Sequence, residues 1–186
     1  LDINFSVQSG ETMAVVGESG SGKSTLARML IGQISPTEGE VSILNKDNVE
    51  TKSSDLHSLY SLSSPAMELP EEFTVKEWFA FMDKTKGFDS NVDLNTLQEQ
   101  CKFSNRAIKK PMYTFSSGMK QRVKLCGAFL TNVPLIILDE PLSNLDAALR
   151  VKMRVEILKL HRRLQRTMIY VTHDQVEAMT LADKIV

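Results

Sequence analysis

Eight residues constrain this chain more tightly than any others: Gly17-Glu18-Ser19-Gly20-Ser21-Gly22-Lys23-Ser24, followed by Thr25. They match the spacing Gly-x4-Gly-Lys-Ser, in which glycines let the backbone close around an anion and successive N–H groups face it. The pattern has meaning only between a strand and a helix. Both flanks are present: residues 12–16 are a short apolar run, and residues 23–31 carry Leu26, Leu30 and Ile31 at helical spacing before Gly32. The loop Gly17, Glu18, Ser19, Gly20, Ser21, Gly22 and Lys23 is therefore expected to cradle the phosphates of a nucleoside triphosphate. In such a loop Lys23 reaches the β and γ phosphates, Ser24 ligates Mg²⁺ and Thr25 holds the α phosphate.

A second cue lies far downstream. Leu135-Ile136-Ile137-Leu138 runs directly into Asp139-Glu140. Two adjacent carboxylates at the end of a buried strand are costly unless a cation or a water uses them. In a doubly wound sheet the C-terminal strand ends form the ligand crevice. Asp139 is thus expected in the Mg²⁺ shell, and Glu140, one residue on, is expected to polarise an attacking water.

Periodicity gives the frame. Residues 1–7 alternate as a half-buried strand, and residues 41–44 read as another. Residues 46–66 are polar and serine-rich and read as loop with a short helix. Residues 74–86 have helical spacing and stop at Gly87; residues 88–112 read as helical in part. Residues 117–130, 147–164 and 175–181 read as helices, and 135–138 and 167–172 as strands. Strands alternating with helices predict an α/β fold of the P-loop NTPase kind, a mainly parallel sheet flanked by helices with an inserted helical arm. The expected organisation is a single domain, with core residues 1–62 and 127–186 and the arm at 63–126.

Bulk properties narrow the classes. A length of 186 residues fits one domain. The formal net charge of −1 gives no global reason to bind nucleic acid or an anionic membrane. The bases Arg150, Lys152, Arg154, Lys159, Arg162, Arg163 and Arg166 are read as a solvated face, because Glu156 and apolar residues interrupt them, so no nucleic-acid partner is expected. No apolar run approaches the ~20 residues that cross a bilayer, so a membrane role calls for a partner chain. Cys101 and Cys126 share no metal-like spacing with histidine and are expected as reduced thiols of a cytosolic protein. His57 and His161 receive no role.

Three further segments carry a family resemblance. Phe115-Ser116-Ser117-Gly118-Met119-Lys120-Gln121-Arg122 resembles the signature motif of ABC ATPases, Ser143-Asn144-Leu145-Asp146 resembles their D-loop, and His173 in Thr172-His173-Asp174 resembles their switch histidine. The motifs follow the family's order over nearly the whole chain. The resemblance implies the ATP-binding domain of an ABC transporter, hydrolysing ATP to ADP and phosphate with Mg²⁺. It assigns Lys23, Glu140 and His173 to catalysis and Ser24 and Asp139 to the metal. It implies a head-to-tail pair in which Ser116 and Gly118 of one copy contact the γ phosphate held by the other. It also implies a transmembrane partner subunit and a peripheral position on the cytoplasmic side of the inner or plasma membrane. Trp78, Phe79 and Phe81 lie where the arm of this family meets that subunit, and core packing is an equal reading for them.

The chain also departs from the family. The adenine-stacking aromatic would precede the first segment, and the usual closing strands would follow Val186, so a domain truncated at both ends is expected. No Gln occurs between Gln33 and Gln98; the place of the family's Q-loop glutamine falls near Ser63-Ser64-Pro65. Ser117 and Met119 stand where Gly and Gln are commoner. These departures keep open an engineered or truncated domain with weak or no ATPase activity, and a soluble non-transport ABC ATPase. Residues 1–32 resemble peptide importers, 74–126 exporters and 141–186 sugar importers, which suggests a chimera of related domains or natural divergence.

Overall fold

The computed structural model describes residues 3–44, 57–88 and 102–186. Its sheet contains β1 (Thr12–Val16), β2 (Tyr60–Ser63), β3 (Leu135–Asp139), β4 (Thr167–Thr172) and β5 (Lys184–Ile185), in the spatial order β2-β3-β4-β1-β5. Each pairing is parallel, so the C-terminal ends of the strands share one edge. Helices α1 (Lys23–Leu30), α2 (Val75–Lys86), α3 (Ser117–Leu130), α4 (Ala147–Leu164) and α5 (Gln175–Leu181) connect and flank them.

Strand side chains alternate between two faces, and here both faces are covered. Ile136 and Leu138 of β3, with Met168 and Tyr170 of β4, pack against Leu125 and Phe129 of α3 and Met153, Ile157 and Leu160 of α4. The intervening Ile137, Ile169 and Val171 pack with Val15 against Ala27 and Ile31 at α1. This explains why β3 is a continuous apolar run rather than an alternating one.

A separate apolar cluster lies within the segment expected as the arm, where Val75 and Phe79 of α2 meet Phe103, Ile108, Met112 and Phe115. Helix α3 joins the two bodies of core. Its Leu125, Ala128 and Phe129 enter the sheet cluster, while Val123, Cys126 and Leu130 enter the arm cluster. Two short 3-10 turns, Ala107–Lys109 and Met112–Thr114, lead into it.

Capping fixes the helix starts. Thr74 accepts from Glu77 N–H and Glu77 accepts from Thr74 N–H, a complete capping box ahead of α2. Ser116, Asp146 and Asp174 cap α3, α4 and α5 in the same sense. The expected helix 23–31 closes one residue early, with Ile31 at its C-cap and Gly32 following at φ 73°.

Three sequence expectations are corrected. Residues 3–7 of the expected first strand are not in a strand, and Ile3 is exposed; alternation alone supplies no partner strand. At residues 41–44 only an isolated bridge forms, at an exposed Leu44. Within the stretch 46–66 read as loop and short helix, residues 60–63 form β2 instead, because Leu62 packs on one face while Ser61 and Ser63 are buried on the other; residues 46–56 lie outside the described residues. The short β5 beside β1 was not anticipated. The expected helix near 88–112 and Cys101 lie largely or wholly outside the described residues.

Candidate active site

The glycine loop leaves β1 and closes on itself. A Cβ on Gly17 would lie 2.7 Å from Ser21 Oγ, so any larger residue would have to turn that hydroxyl aside. Gly22 takes φ 96° as the N-cap of α1 and offers no capping side chain. The first N–H groups of α1 are therefore left for an outside acceptor, and no acidic residue sits in the first turn to repel an anion. The ammonium of Lys23, 7% exposed, donates to the Gly17 carbonyl at 2.8 Å and the Glu18 carbonyl at 2.7 Å. Lysine carries three N–H donors, so one remains beyond these two bonds.

The strand ends bring the rest. Sheet order sets β3 and β4 next to β1, and β2 beyond β3. Ser24 Oγ donates to Asp139 Oδ1 at 3.1 Å, joining the start of α1 to the end of β3. Burial pushes the Asp139 carboxyl above its ordinary range, opposed by hydrogen bonds from the Ser24 and Ser64 hydroxyls that favour the ionised form. Glu140 turns sharply at φ 42°, in the left-handed region sparsely used by residues other than glycine. Its backbone is held on both sides: its N–H donates to Val171 O at 2.8 Å, and its carbonyl accepts from Ser143 Oγ at 2.9 Å. The Glu140 carboxylate then lies 3.9 Å from Lys23 Nζ and 3.4 Å from His173 Nδ1. His173 follows β4, and Asp174 after it is tied down by capping α5.

Lys23, Ser24, Asp139, Glu140 and His173 are therefore brought together at one edge of the sheet. Glu18, Ser19, Gly20, Ser21 and Thr25 are exposed on the same loop and helix start. Among the described residues, no hydrogen bond or ion pair joins Ser116 or Gly118 to this group. They open α3, where Ser116 Oγ accepts from Met119 N–H at 3.3 Å and a Cβ on Gly118 would meet Leu149 Cδ2 at 2.4 Å.

A divalent cation suits the pair Ser24 and Asp139. Both donors are hard oxygens, and no cluster of three or more His, Cys, Asp or Glu occurs among the described residues to favour another metal. Mg²⁺ is commonly held by one or two protein oxygens together with substrate phosphates.

A family model for ABC transporters matches residues 1–143. This chain belongs to that family. The match takes in the glycine loop, Ser116 to Gly118 and Asp139-Glu140, while His173 lies beyond it. The maltose/maltodextrin import ATP-binding protein MalK of Escherichia coli K12 is 44% identical over 188 residues, and that of Yersinia pestis 43% over 190 residues. Both alignments cover all of this chain but 50% of the relative, so the chain spans about half the length of these proteins. Among solved structures, a dimeric bacterial ABC transporter cassette is 25% identical with a TM-score of 0.77, covering all of this chain and 84% of that one. An ATP-binding subunit of an ABC transporter is 26% identical with a TM-score of 0.81, covering 100% and 77%. These likenesses bear out the expected α/β architecture of parallel sheet and flanking helices.

Sequence reasoning missed two tethers. Ser64 Oγ donates to Asp139 Oδ2 at 3.3 Å, which becomes visible only once β2 is paired with β3. His161, given no role, has Nε2 2.9 Å from Thr12 Oγ1 and 3.0 Å from the Arg166 carbonyl, pinning the end of α4 to the sheet. Arg166 itself donates to the carbonyls of Thr131 and Val133, so it is a structural cation rather than part of a free basic face. Phe79 is in the arm core, whereas Phe81 is exposed and stacked on Trp78 with ring centroids 5.7 Å apart.

Proposed function

We propose that this chain binds ATP and Mg²⁺ and hydrolyses ATP to ADP and phosphate, as the energising domain of an ABC importer. The observation that carries the reading is the convergence of Lys23, Glu140 and His173, with Ser24 and Asp139 beside them, at the C-terminal edge of one parallel sheet.

Each residue has a task that its position supports. Backbone N–H groups of Gly17 to Thr25 bind the phosphates, and the remaining N–H of Lys23 neutralises the β and γ oxygens. Ser24 and Asp139 hold Mg²⁺, which supplies charge neutralisation on the transferring phosphoryl group when bound. Glu140 orients the attacking water and takes its proton as the bond to the γ phosphorus forms. The bridging oxygen leaves with ADP. His173, beside Glu140, holds the γ phosphate and water in line.

Ser116 and Gly118 stand apart from this cluster, at the start of α3, which supports a role toward the nucleotide of a second copy. The dimeric form of the related cassette supports the head-to-tail pair. Likeness to the maltose/maltodextrin import ATP-binding proteins supports a transmembrane partner subunit and a place against it on the cytoplasmic side; among the described residues no helix is long and apolar enough to cross a membrane. Identity to the maltose/maltodextrin import proteins along the full chain supports an importer. The division into core 1–62 and 127–186 and arm 63–126 belongs to the same reading. So does a chimeric origin, which an abrupt step in identity to these relatives at the segment joins would support and a uniform profile would remove.

The test is ATP turnover and ATP-dependent dimerisation, followed by phosphate release and light scattering, for wild type, Lys23→Ala and Glu140→Gln. Lys23→Ala is expected to lose ATP binding, and Glu140→Gln to accumulate an ATP-bound dimer. A wild-type protein that neither binds nor hydrolyses ATP overturns the reading.

A further inference from the structure

Asp139 has two carboxylate oxygens, and each has its own serine. Ser24 Oγ, from the first turn of α1, donates to Oδ1 at 3.1 Å; Ser64 Oγ, from the residue after β2, donates to Oδ2 at 3.3 Å. Sheet register brings the second pair together. Ser63 is the partner of Leu138, so Ser64 and Asp139 leave neighbouring strand ends side by side.

The orientation of Ser64 is fixed from three directions. Ala66 N–H donates to Ser64 Oγ at 3.3 Å, occupying a lone pair and leaving the hydroxyl proton for Asp139. The carbonyls of Ser64 and Pro65 both accept from Lys124 Nζ of α3 at 3.4 Å. The residue is 8% exposed, so water has little access to replace its hydroxyl. A carboxylate bonded at one oxygen can still rotate about its terminal torsion, which is broad. One bonded at both oxygens has its plane set.

Mg²⁺ tolerates little departure from octahedral geometry, and groups that orient a metal's carboxylate ligand tune its affinity. We propose that Ser64 is a positioning residue for the cation site: by holding Oδ2, it keeps Asp139 oriented with Ser24 toward Mg²⁺. The inference rests on the nucleotide-and-Mg²⁺ reading above. It concerns a side chain that neither the glycine-loop pattern nor the acidic strand end marks.

Calorimetric titration of ATPγS into the full chain, in Mg²⁺ and separately in EDTA, tests it. The ratio of the two dissociation constants measures how much the metal tightens nucleotide binding. Ser64→Ala is expected to shrink that ratio about tenfold, the lower range for loss of a group supporting a metal ligand, while leaving the constant in EDTA within about twofold of wild type. Ser64→Thr keeps the hydroxyl and is expected to restore the ratio. A ratio for Ser64→Ala within about twofold of wild type overturns the inference. So does an equal loss in EDTA, which would mark Ser64 as shaping the loop, or a Ser64→Thr variant that behaves like Ser64→Ala. A wild-type protein that binds no nucleotide, or binds it equally with and without Mg²⁺, overturns the functional reading itself.

Discussion

The strand-end cluster and the start of α3 hold their key residues by different means. At the strand ends, Lys23, Glu140 and His173 are fixed by charge and hydrogen bonds among polar groups. At the start of α3, Ser116 is a helix cap, and Gly118 is buried beside Leu145 and Leu149, where an added Cβ would displace the end of the Leu149 side chain. One region is held by polar pairing and the other by shape. Substitutions in the first should therefore alter chemistry with little loss of stability, and substitutions in the second should do the reverse.

The strongest challenge to that contrast is Glu140→Gln. Loss of a general base costs about 10²–10⁴-fold in rate, so turnover should fall by that factor while the melting temperature stays within about 2 °C, since surface-accessible polar changes move stability by about 0.5 kcal/mol. A large drop in melting temperature would show that the cluster is structural. Gly118→Ala is the converse case. Pressing a methyl against the end of the flexible Leu149 side chain should cost up to about 1 kcal/mol in urea unfolding, the low end for overpacking. Adding Leu149→Ala should leave the pair less unstable than the sum of the single changes; strict additivity would refute the steric account.

Ser63 sharpens the contrast within adjacent residues. Its hydroxyl is fully buried and has no hydrogen-bond partner among the described residues, whereas the hydroxyl of Ser64 is bonded to Asp139. Ser63→Ala removes an unsatisfied polar group and is expected to leave stability unchanged or raise it by up to about 1 kcal/mol, without touching nucleotide binding. Destabilisation on chemical denaturation would mean that the hydroxyl is bonded after all.

The smallest effect is a pH dependence in the arm. The backbone N–H of Thr74, and then its hydroxyl, hold the Glu77 carboxyl below the ordinary carboxylate range. The folded state therefore favours the ionised form. The capping contribution is fully present above the ordinary carboxylate pKa and is lost as pH falls through the lowered one. Melting curves of wild type and Glu77→Gln should converge as the medium is acidified from pH 6 to pH 3; a constant gap would discount the cap.

The sequence was most legible where several local signals coincide. Helices 117–130, 147–164 and 175–181 have the expected bounds because apolar spacing and the capping residues Ser116, Asp146 and Asp174 agree. The core of the site was legible for a similar reason: Lys23, Ser24, Asp139 and Glu140 are fixed by spacing from strands that read clearly. What stayed hidden depends on partners distant in sequence. β2 is Tyr-Ser-Leu-Ser, too polar to announce a strand, and is buried because β3 and α3 cover it. The bond from Ser64 to Asp139 becomes visible only through that pairing, and the role of His161 only through Thr12, 149 residues away.

Helix α3 contributes side chains to both apolar clusters, and this bears on how the molecule opens. A helix that closes two bodies of core cannot detach from one without exposing part of the other. Its amides should exchange with solvent deuterium only through opening close to global unfolding, whereas α2, confined to the arm cluster, can open by a smaller excursion. The helix that begins with Ser117 and Gly118 would then be among the slowest parts of the chain to fluctuate, so the presentation of its first turn to a second copy would be governed by rigid-body movement rather than by local melting.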